Sequence, residues 1–110
     1  MYTATVTRKI CREDECGYIL TADVNGKLVT EILVDKFNGD HLTLCHEVGH
    51  WCQAILGLEP DENAAETFGI AMLRRIPGIV RDIYADVVKA GHVLVGLPDG
   101  WLALYVEAVA

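Results

Sequence analysis

Residues 42–56 read LTLCHEVGHWCQAIL, and the rest of the chain is best interpreted outward from this stretch. Its apolar side chains recur every three or four residues, which is the spacing of one face of an α-helix. These side chains are Cys45, Val48, Cys52 and Ile55. Gly57 follows at a place where helices commonly end. The pattern predicts a helix over residues 42–56 with one face in a core.

The residues before this helix follow a period of two. Residues 2–10 are rich in β-branched side chains and alternate as a strand does. Residues 17–23 and 27–34 are apolar runs that flank Asn25-Gly26, and Asn-Gly between such runs indicates a β-hairpin because both residues accept positive φ. We therefore expect three antiparallel strands, with a charged turn at residues 12–16.

Helical signals continue after the first helix. Acidic residues after Pro60 mark the start of a second helix, which runs to about Arg75 and stops at Pro77-Gly78. Residues 79–90 are predicted to form a third helix, because their apolar side chains fall on one helical face. The last twenty residues fit either a hairpin or a helix over residues 101–109, and their content of Ala, Leu and Glu favours the helix.

These patterns together predict a small α+β fold. We expect a three-stranded antiparallel sheet packed against the 42–56 helix and two or three further helices. The chain has 110 residues, of which 52% are hydrophobic, so residues 1–110 are interpreted as a single domain.

Charge and hydropathy exclude some classes of partner. The formal net charge is −7 and the isoelectric point is about 4.9, so the chain repels phosphate backbones and we expect no nucleic-acid binding. No apolar run approaches the roughly 18 residues of a membrane span, and the N-terminal residues lack the apolar region of a signal peptide. A cytoplasmic location without membrane association is expected.

The central stretch also contains a chemical motif. His46-Glu47-Val48-Gly49-His50 matches H-E-x-x-H, and on a helix its two histidines lie on one face, about 6 Å apart. Two imidazoles in that position can bind one Zn²⁺. Zinc lowers the pKa of bound water to about 7, and a neighbouring carboxylate can take a proton from that water. The motif predicts a zinc site with Glu47 as general base.

A catalytic zinc needs a third protein ligand, and the best candidate lies on the second helix. Glu62 and Glu66 are one turn apart there, so one can bind the metal while the other accepts the outer N–H of a ligating histidine. We favour Glu62 as ligand, as in the gluzincin arrangement, with Glu66 and Asp61 as alternatives. Small Ala65 and Gly69 on or near the same face would let the two helices approach closely.

Other classes of ligand fit less well. The metzincin pattern requires Gly and His where this chain has Gln53 and Leu56. His41 and His92 are isolated histidines, which are more often loop or core residues than ligands. No residue is singled out as the stabiliser of the transition state, for which Tyr84, Arg81 and His92 are the candidates.

The four cysteines suggest a rival, purely structural zinc site. Cys45 and Cys52 are about 10 Å apart along the helix, too far to form a disulfide with each other. Their apolar neighbours favour packing in the core over metal binding. For Cys11 and Cys16, metal binding and a disulfide both remain open.

Two segments resemble the ImmA/IrrE-type zinc metallopeptidases. Residues 41–50, HLTLCHEVGH, resemble that family's fTlaHElGH segment, and residues 62–69, ENAAETFG, more loosely resemble its ExxANxFA helix. The resemblance implies a small zincin fold with His46, His50 and Glu62 as zinc ligands and Glu47 as base. It also implies a sheet edge that binds an extended peptide, and a regulatory protease of phages or mobile elements.

The chain departs from the family pattern at several points. Glu66 replaces the usual Asn, Gly69 replaces the usual Ala, and the chain begins with strands where the family has a helix.

The expected activity is hydrolysis of protein or peptide substrates. The alternative is a non-catalytic regulatory protein that keeps the zincin fold and binds a protein partner, although such a protein has no need of Glu47.

Overall fold

A computed structural model describes residues 2–11 and 16–110 of the chain. The elements are β1 Thr3–Lys9, β2 Gly17–Val24, β3 Lys27–Asp35, α1 His41–Ile55, α2 Glu62–Arg75, α3 Pro77–Ala90, β4 His92–Gly96 and α4 Asp99–Val109. The predicted α+β class is confirmed. Residues 12–15 of the predicted charged turn lie outside the described residues. Within the two described ranges, no helix has the length and apolarity needed to cross a membrane.

The predicted hairpin is confirmed. β2 and β3 pair antiparallel, with Val24 opposite Lys27 at the closed end. Asn25 and Gly26 form the turn with φ of 54° and 80°, a left-handed conformation that these two residue types tolerate best. The turn fixes the register, which places Gly17 opposite Val34 at the open end of the hairpin.

The prediction of a three-stranded antiparallel sheet is wrong in two respects. The sheet has four strands in the order β2-β3-β1-β4, and β1 runs parallel to β3. β3 takes an inner position, and every residue from Ile32 to Asp35 in it is buried. β2 runs opposite to both neighbours in sequence, so β1 and β3 point the same way. The fourth strand is the short apolar run β4, antiparallel to β1.

Helix α1 connects the sheet with the other helices. It begins with a capping box in which the Asp40 carboxylate accepts the Thr43 N–H at 2.9 Å and Thr43 Oγ1 accepts the Asp40 N–H at 3.3 Å. It contacts β2, β3 and all three other helices. Because α1 touches so many elements, side chains on both sides of it are held in defined positions.

The apolar face of α1 lies in the core as predicted. Cys45 and Cys52 are fully buried free thiols, with Val48 between them. Burial raises the pKa of both thiols to about 12, so they stay protonated at neutral pH. Their interpretation as packing residues is confirmed.

The helix boundaries follow the predicted signals. Gly57 with φ of 69° follows the end of α1, and Gly91 with φ of 84° caps α3. The helix favoured for the last residues is confirmed as α4, which buries Trp101 and Tyr105. The position of Tyr105 matters for the site described next.

Candidate metal centre

His46 and His50 lie one turn apart on α1. Their ring centroids are 4.9 Å apart and the ring planes meet at 75°. Only 19% of the His46 side chain and 9% of the His50 side chain are exposed. Because both rings are largely enclosed, their orientations are set by neighbouring protein groups.

Glu62 reaches both histidines from the first turn of α2. Its Oε2 lies 2.9 Å from His46 Nε2, and its Oε1 lies 3.0 Å from His50 Nε2. Asp61, immediately before it, is the N-cap of α2 and accepts the Ala64 N–H at 3.0 Å. The cap fixes where α2 begins, and so it fixes where Glu62 stands relative to α1.

Two glycines allow α1 and α2 to approach closely enough for these contacts. A Cβ at Gly49 on α1 would lie 2.9 Å from the Ala65 Cα and 3.0 Å from the Ala65 carbonyl oxygen on α2. A Cβ at Gly69 on α2 would lie 3.0 Å from the His46 backbone nitrogen. The close approach expected from the small residues on α2 is present, and Gly49 contributes to it from the other side.

The donors of His46, His50 and Glu62 fit a zinc ion in type and spacing. One donor atom from each residue lies within 4.8 Å of the other two. A tetrahedral site with bonds of about 2.0–2.1 Å separates its ligands by about 3.4 Å, so small movements would complete it. Imidazole and carboxylate are both common zinc ligands. Among the described residues, no other group of three His, Cys, Asp or Glu side chains has this geometry.

Each histidine also has a partner on its outer nitrogen. His46 Nδ1 lies 3.3 Å from Glu66 Oε1, the arrangement suggested by the one-turn spacing of Glu62 and Glu66. His50 Nδ1 lies 2.8 Å from Gln53 Oε1. Outer partners of this kind orient ligating imidazoles and raise their basicity.

Glu47 is buried beside the two histidines, with 5% of its surface exposed. It contributes to the lining of the same cleft. Gly17 at the start of β2 lies nearby, and a Cβ there would fall 2.7 Å from both the Leu33 carbonyl oxygen and the Thr43 side chain. Glycine at this position therefore lets the sheet edge begin directly against the part of α1 that carries Glu47.

The three donors and Glu47 lie in a cleft of about 870 Å³ between the edge of the sheet, α1 and α2. Among the described residues, no lysine or arginine lines the cleft. Its histidine and acidic side chains are Asp40, His46, Glu47, His50, Glu62 and Glu66. Apolar lining comes from the β2–β3 hairpin, α1 and the α1–α2 loop: Ile19, Leu28, Leu42, Ala54, Leu58 and Pro60. The cleft thus combines carboxylates with apolar surface.

Tyr84, Arg81 and His92, the candidates for stabilising the transition state, lie outside the cleft. The described residues that line the cleft include Tyr18 but not Tyr84, Arg81 or His92. The Tyr84 hydroxyl donates to the Gly39 carbonyl at 3.0 Å, and its ring centroid lies 4.4 Å from that of His41 with the planes tilted by 32°. His41 is therefore engaged with α3 and does not join the three donors.

Asp61 and the cysteines, which the sequence also suggested as ligands, have defined positions outside the cluster. Asp61 points its carboxylate back at its own helix, so it is occupied as a cap. The Cys11 N–H donates to the Asp35 carboxylate at 2.7 Å, and Cys16 is exposed at the cleft. Cys45 and Cys52 are enclosed by apolar core, which leaves the histidine–glutamate cluster as the candidate centre.

Sequence reasoning missed two residues near the centre, Gln53 and Tyr105. Gln53 follows His50 by three residues, a spacing at which helical side chains meet. Tyr105 is 52 residues away from Gln53 along the chain, and no local pattern connects the two.

Comparison with protein-family models, curated proteins and solved structures found no match to this chain.

Proposed function

We propose that the chain is a zinc-dependent metallopeptidase of the ImmA/IrrE type that acts on protein or peptide substrates in the cytoplasm. The observation that carries the proposal is the convergence of His46, His50 and Glu62 at a cleft also lined by Glu47. Two imidazoles and one carboxylate form a common ligand set of catalytic zinc, and a purely structural site would not require the adjacent carboxylate.

The residues of the site have distinct roles in this proposal. His46, His50 and Glu62 would hold the ion, which when bound supplies a Lewis acid that polarises the scissile carbonyl and acidifies water. Glu47 accepts the proton of the water that attacks the carbonyl carbon. When the C–N bond breaks, Glu47 passes that proton to the leaving amine.

The surroundings support a peptide as substrate. β2 is an edge strand of the sheet and lines the cleft, so an extended peptide can pair with its backbone. The apolar lining suits aliphatic side chains on either side of the scissile bond. The carboxylates in the cleft and the net charge of −7 disfavour nucleic acid.

The test compares wild type with Glu47→Gln, both loaded with zinc, on a pool of fluorogenic peptides. Removing a general base typically slows a reaction by about 10²- to 10⁴-fold, and the amide leaves the ligand set intact. We expect equal zinc content and hydrolysis only by wild type. Glu59→Gln is the control, because Glu59 is an exposed glutamate in the α1–α2 loop that is not among the cleft-lining residues.

Two results would contradict the proposal. Hydrolysis by Glu47→Gln at the wild-type rate would show that Glu47 is not the general base. Zinc binding by wild type without hydrolysis of any peptide in the pool would favour the non-catalytic regulatory protein instead.

A further inference from the structure

Gln53 is a polar side chain enclosed in the protein, with 1% of its surface exposed. Its Oε1 lies 2.8 Å from His50 Nδ1 and accepts the Asp61 N–H at 3.2 Å. Its Nε2 donates to the Asp61 carbonyl at 2.9 Å and to the Tyr105 hydroxyl at 3.0 Å. A primary amide offers two acceptor positions and two donor hydrogens, and all four are used here.

The backbone of Asp61 fixes which way the Gln53 amide points. A backbone N–H can only donate and a backbone C=O can only accept. If the amide were rotated by half a turn, its NH₂ would face the Asp61 N–H and its oxygen would face the Asp61 carbonyl. Both contacts would then be repulsive and buried, which is costly. The oxygen of Gln53 must therefore be the atom that faces His50.

The amide orientation in turn fixes the tautomer of His50. An oxygen 2.8 Å from His50 Nδ1 requires a hydrogen on that nitrogen. With the hydrogen on Nδ1, a metal-bound His50 ring would have its lone pair on Nε2, the atom that faces Glu62 Oε1 at 3.0 Å. A metal at the centre would meet that lone pair.

We propose that Gln53 is a positioning residue that holds His50 in the Nδ1–H tautomer and aims Nε2 at the metal. The inference rests on the zinc site of the proposed function and adds a residue to it. Asp61 and Tyr105 hold Gln53 in turn, so the Tyr105 hydroxyl connects helix α4 to the metal centre.

The two histidines are consequently held in different ways. Glu66, the outer partner of His46, has 49% of its side chain exposed and lies at 3.3 Å. Gln53 is enclosed, lies closer to its histidine and has its other hydrogen bonds satisfied. His50 is therefore the more rigidly oriented of the two rings.

The first test is nitrogen-15 NMR of the wild-type imidazoles, without zinc and with one equivalent of zinc. We expect the His50 Nδ1–H signal in both samples, slow to exchange with water, and a metal-shifted Nε2 resonance in the second. A zinc-loaded protein with hydrogen on His50 Nε2 and metal on Nδ1 would overturn the proposal without any substitution that disturbs folding.

The second test is zinc affinity, measured by competition with a chromophoric chelator. Gln53→Met keeps the length of the side chain and removes its hydrogen bonds to His50, Asp61 and Tyr105. Loss of the outer partner of a ligating histidine typically weakens metal binding by about 10- to 100-fold. Cys52→Ala is the control, because Cys52 is equally buried on α1 but faces the core. We expect its zinc affinity to stay within about twofold of wild type.

Tyr105→Phe separates the two groups that hold Gln53 in place, the Asp61 backbone and the Tyr105 hydroxyl. The Asp61 backbone alone still sets the orientation of the amide, so the His50 tautomer should stay and zinc affinity should fall by less than in Gln53→Met. Unchanged zinc affinity in Gln53→Met would contradict the role of Gln53 alone. Failure of the wild type to bind zinc would instead contradict the proposed function, and with it the metal-directed part of this inference.

Discussion

Substitution of Gly49 by alanine tests how closely α1 and α2 must pack to form the centre. The added Cβ would meet the Ala65 Cα at 2.9 Å and the Ala65 carbonyl oxygen at 3.0 Å. These are backbone atoms and cannot rotate away, so one helix has to shift by a few tenths of an ångström. The shift would also move His50, the next residue on α1, relative to Glu62.

The free energy of unfolding changes through two opposed effects. Overpacking of a close contact costs about 1–3 kcal/mol, and contact with rigid backbone places Gly49→Ala near the upper end. Replacing glycine with alanine inside a helix stabilises the folded state by about 1 kcal/mol. We expect a net loss of about 2 kcal/mol, which lowers the melting temperature of a chain of this size by about 8 °C.

The assay is thermal and urea unfolding of the metal-free protein, followed by a zinc titration of each folded variant. Gly78→Ala is the matched control, because Gly78 lies in α3 and a Cβ there meets no atom within 4 Å. We expect that control to be up to about 1 kcal/mol more stable than wild type. Gly49→Ala with wild-type stability and zinc affinity would refute the close packing of α1 on α2.

Three further predictions concern groups around the site and the core. The thiols of Cys45 and Cys52, whose pKa burial raises to about 12, should not react with Ellman's reagent at pH 8 until the protein is unfolded, and rapid reaction in the native state would contradict their burial. The backbone N–H groups of Cys11 and the 37–38 turn hold the pKa of the Asp35 carboxyl below its ordinary value. The ionised Asp35 carboxylate should therefore stabilise the protein at neutral pH, and this stabilisation should fall as the pH drops from the ordinary pKa of Asp to the lowered pKa of Asp35. Asp35→Asn should flatten the acid side of a plot of urea midpoint against pH, and an unaltered plot would contradict this. Glu66→Gln keeps an acceptor for His46 but loses its charge, and in the chelator competition we expect zinc affinity to fall by about tenfold or less, whereas a complete loss would make Glu66 a direct ligand.

Local patterns predicted the parts of the fold that depend on neighbouring residues. The 42–56 periodicity located α1 to within one residue at each end, and Asn25-Gly26 located the hairpin. Helix spacing also indicated that His46 and His50 share a face and that Glu62 follows on the next helix. The structure brings these three residues together, while their binding of zinc stays a prediction.

The features that were missed depend on contacts distant in sequence. The parallel pairing of β1 with β3 follows from which strand occupies the centre of the sheet, and alternation within β1 carries no information about that choice. β4 has only five residues, too few for a distinct alternation. Gln53 resembles an ordinary surface residue of an amphipathic helix until α4 covers it with Tyr105.

The most direct test of the zinc centre is anomalous diffraction from zinc-loaded crystals, recorded on both sides of the zinc absorption edge. We expect one peak per chain, about 2.0–2.2 Å from His46 Nε2, His50 Nε2 and a carboxylate oxygen of Glu62. A peak on the cysteine sulfurs, or zinc-loaded crystals without a peak among these three residues, would contradict the assignment.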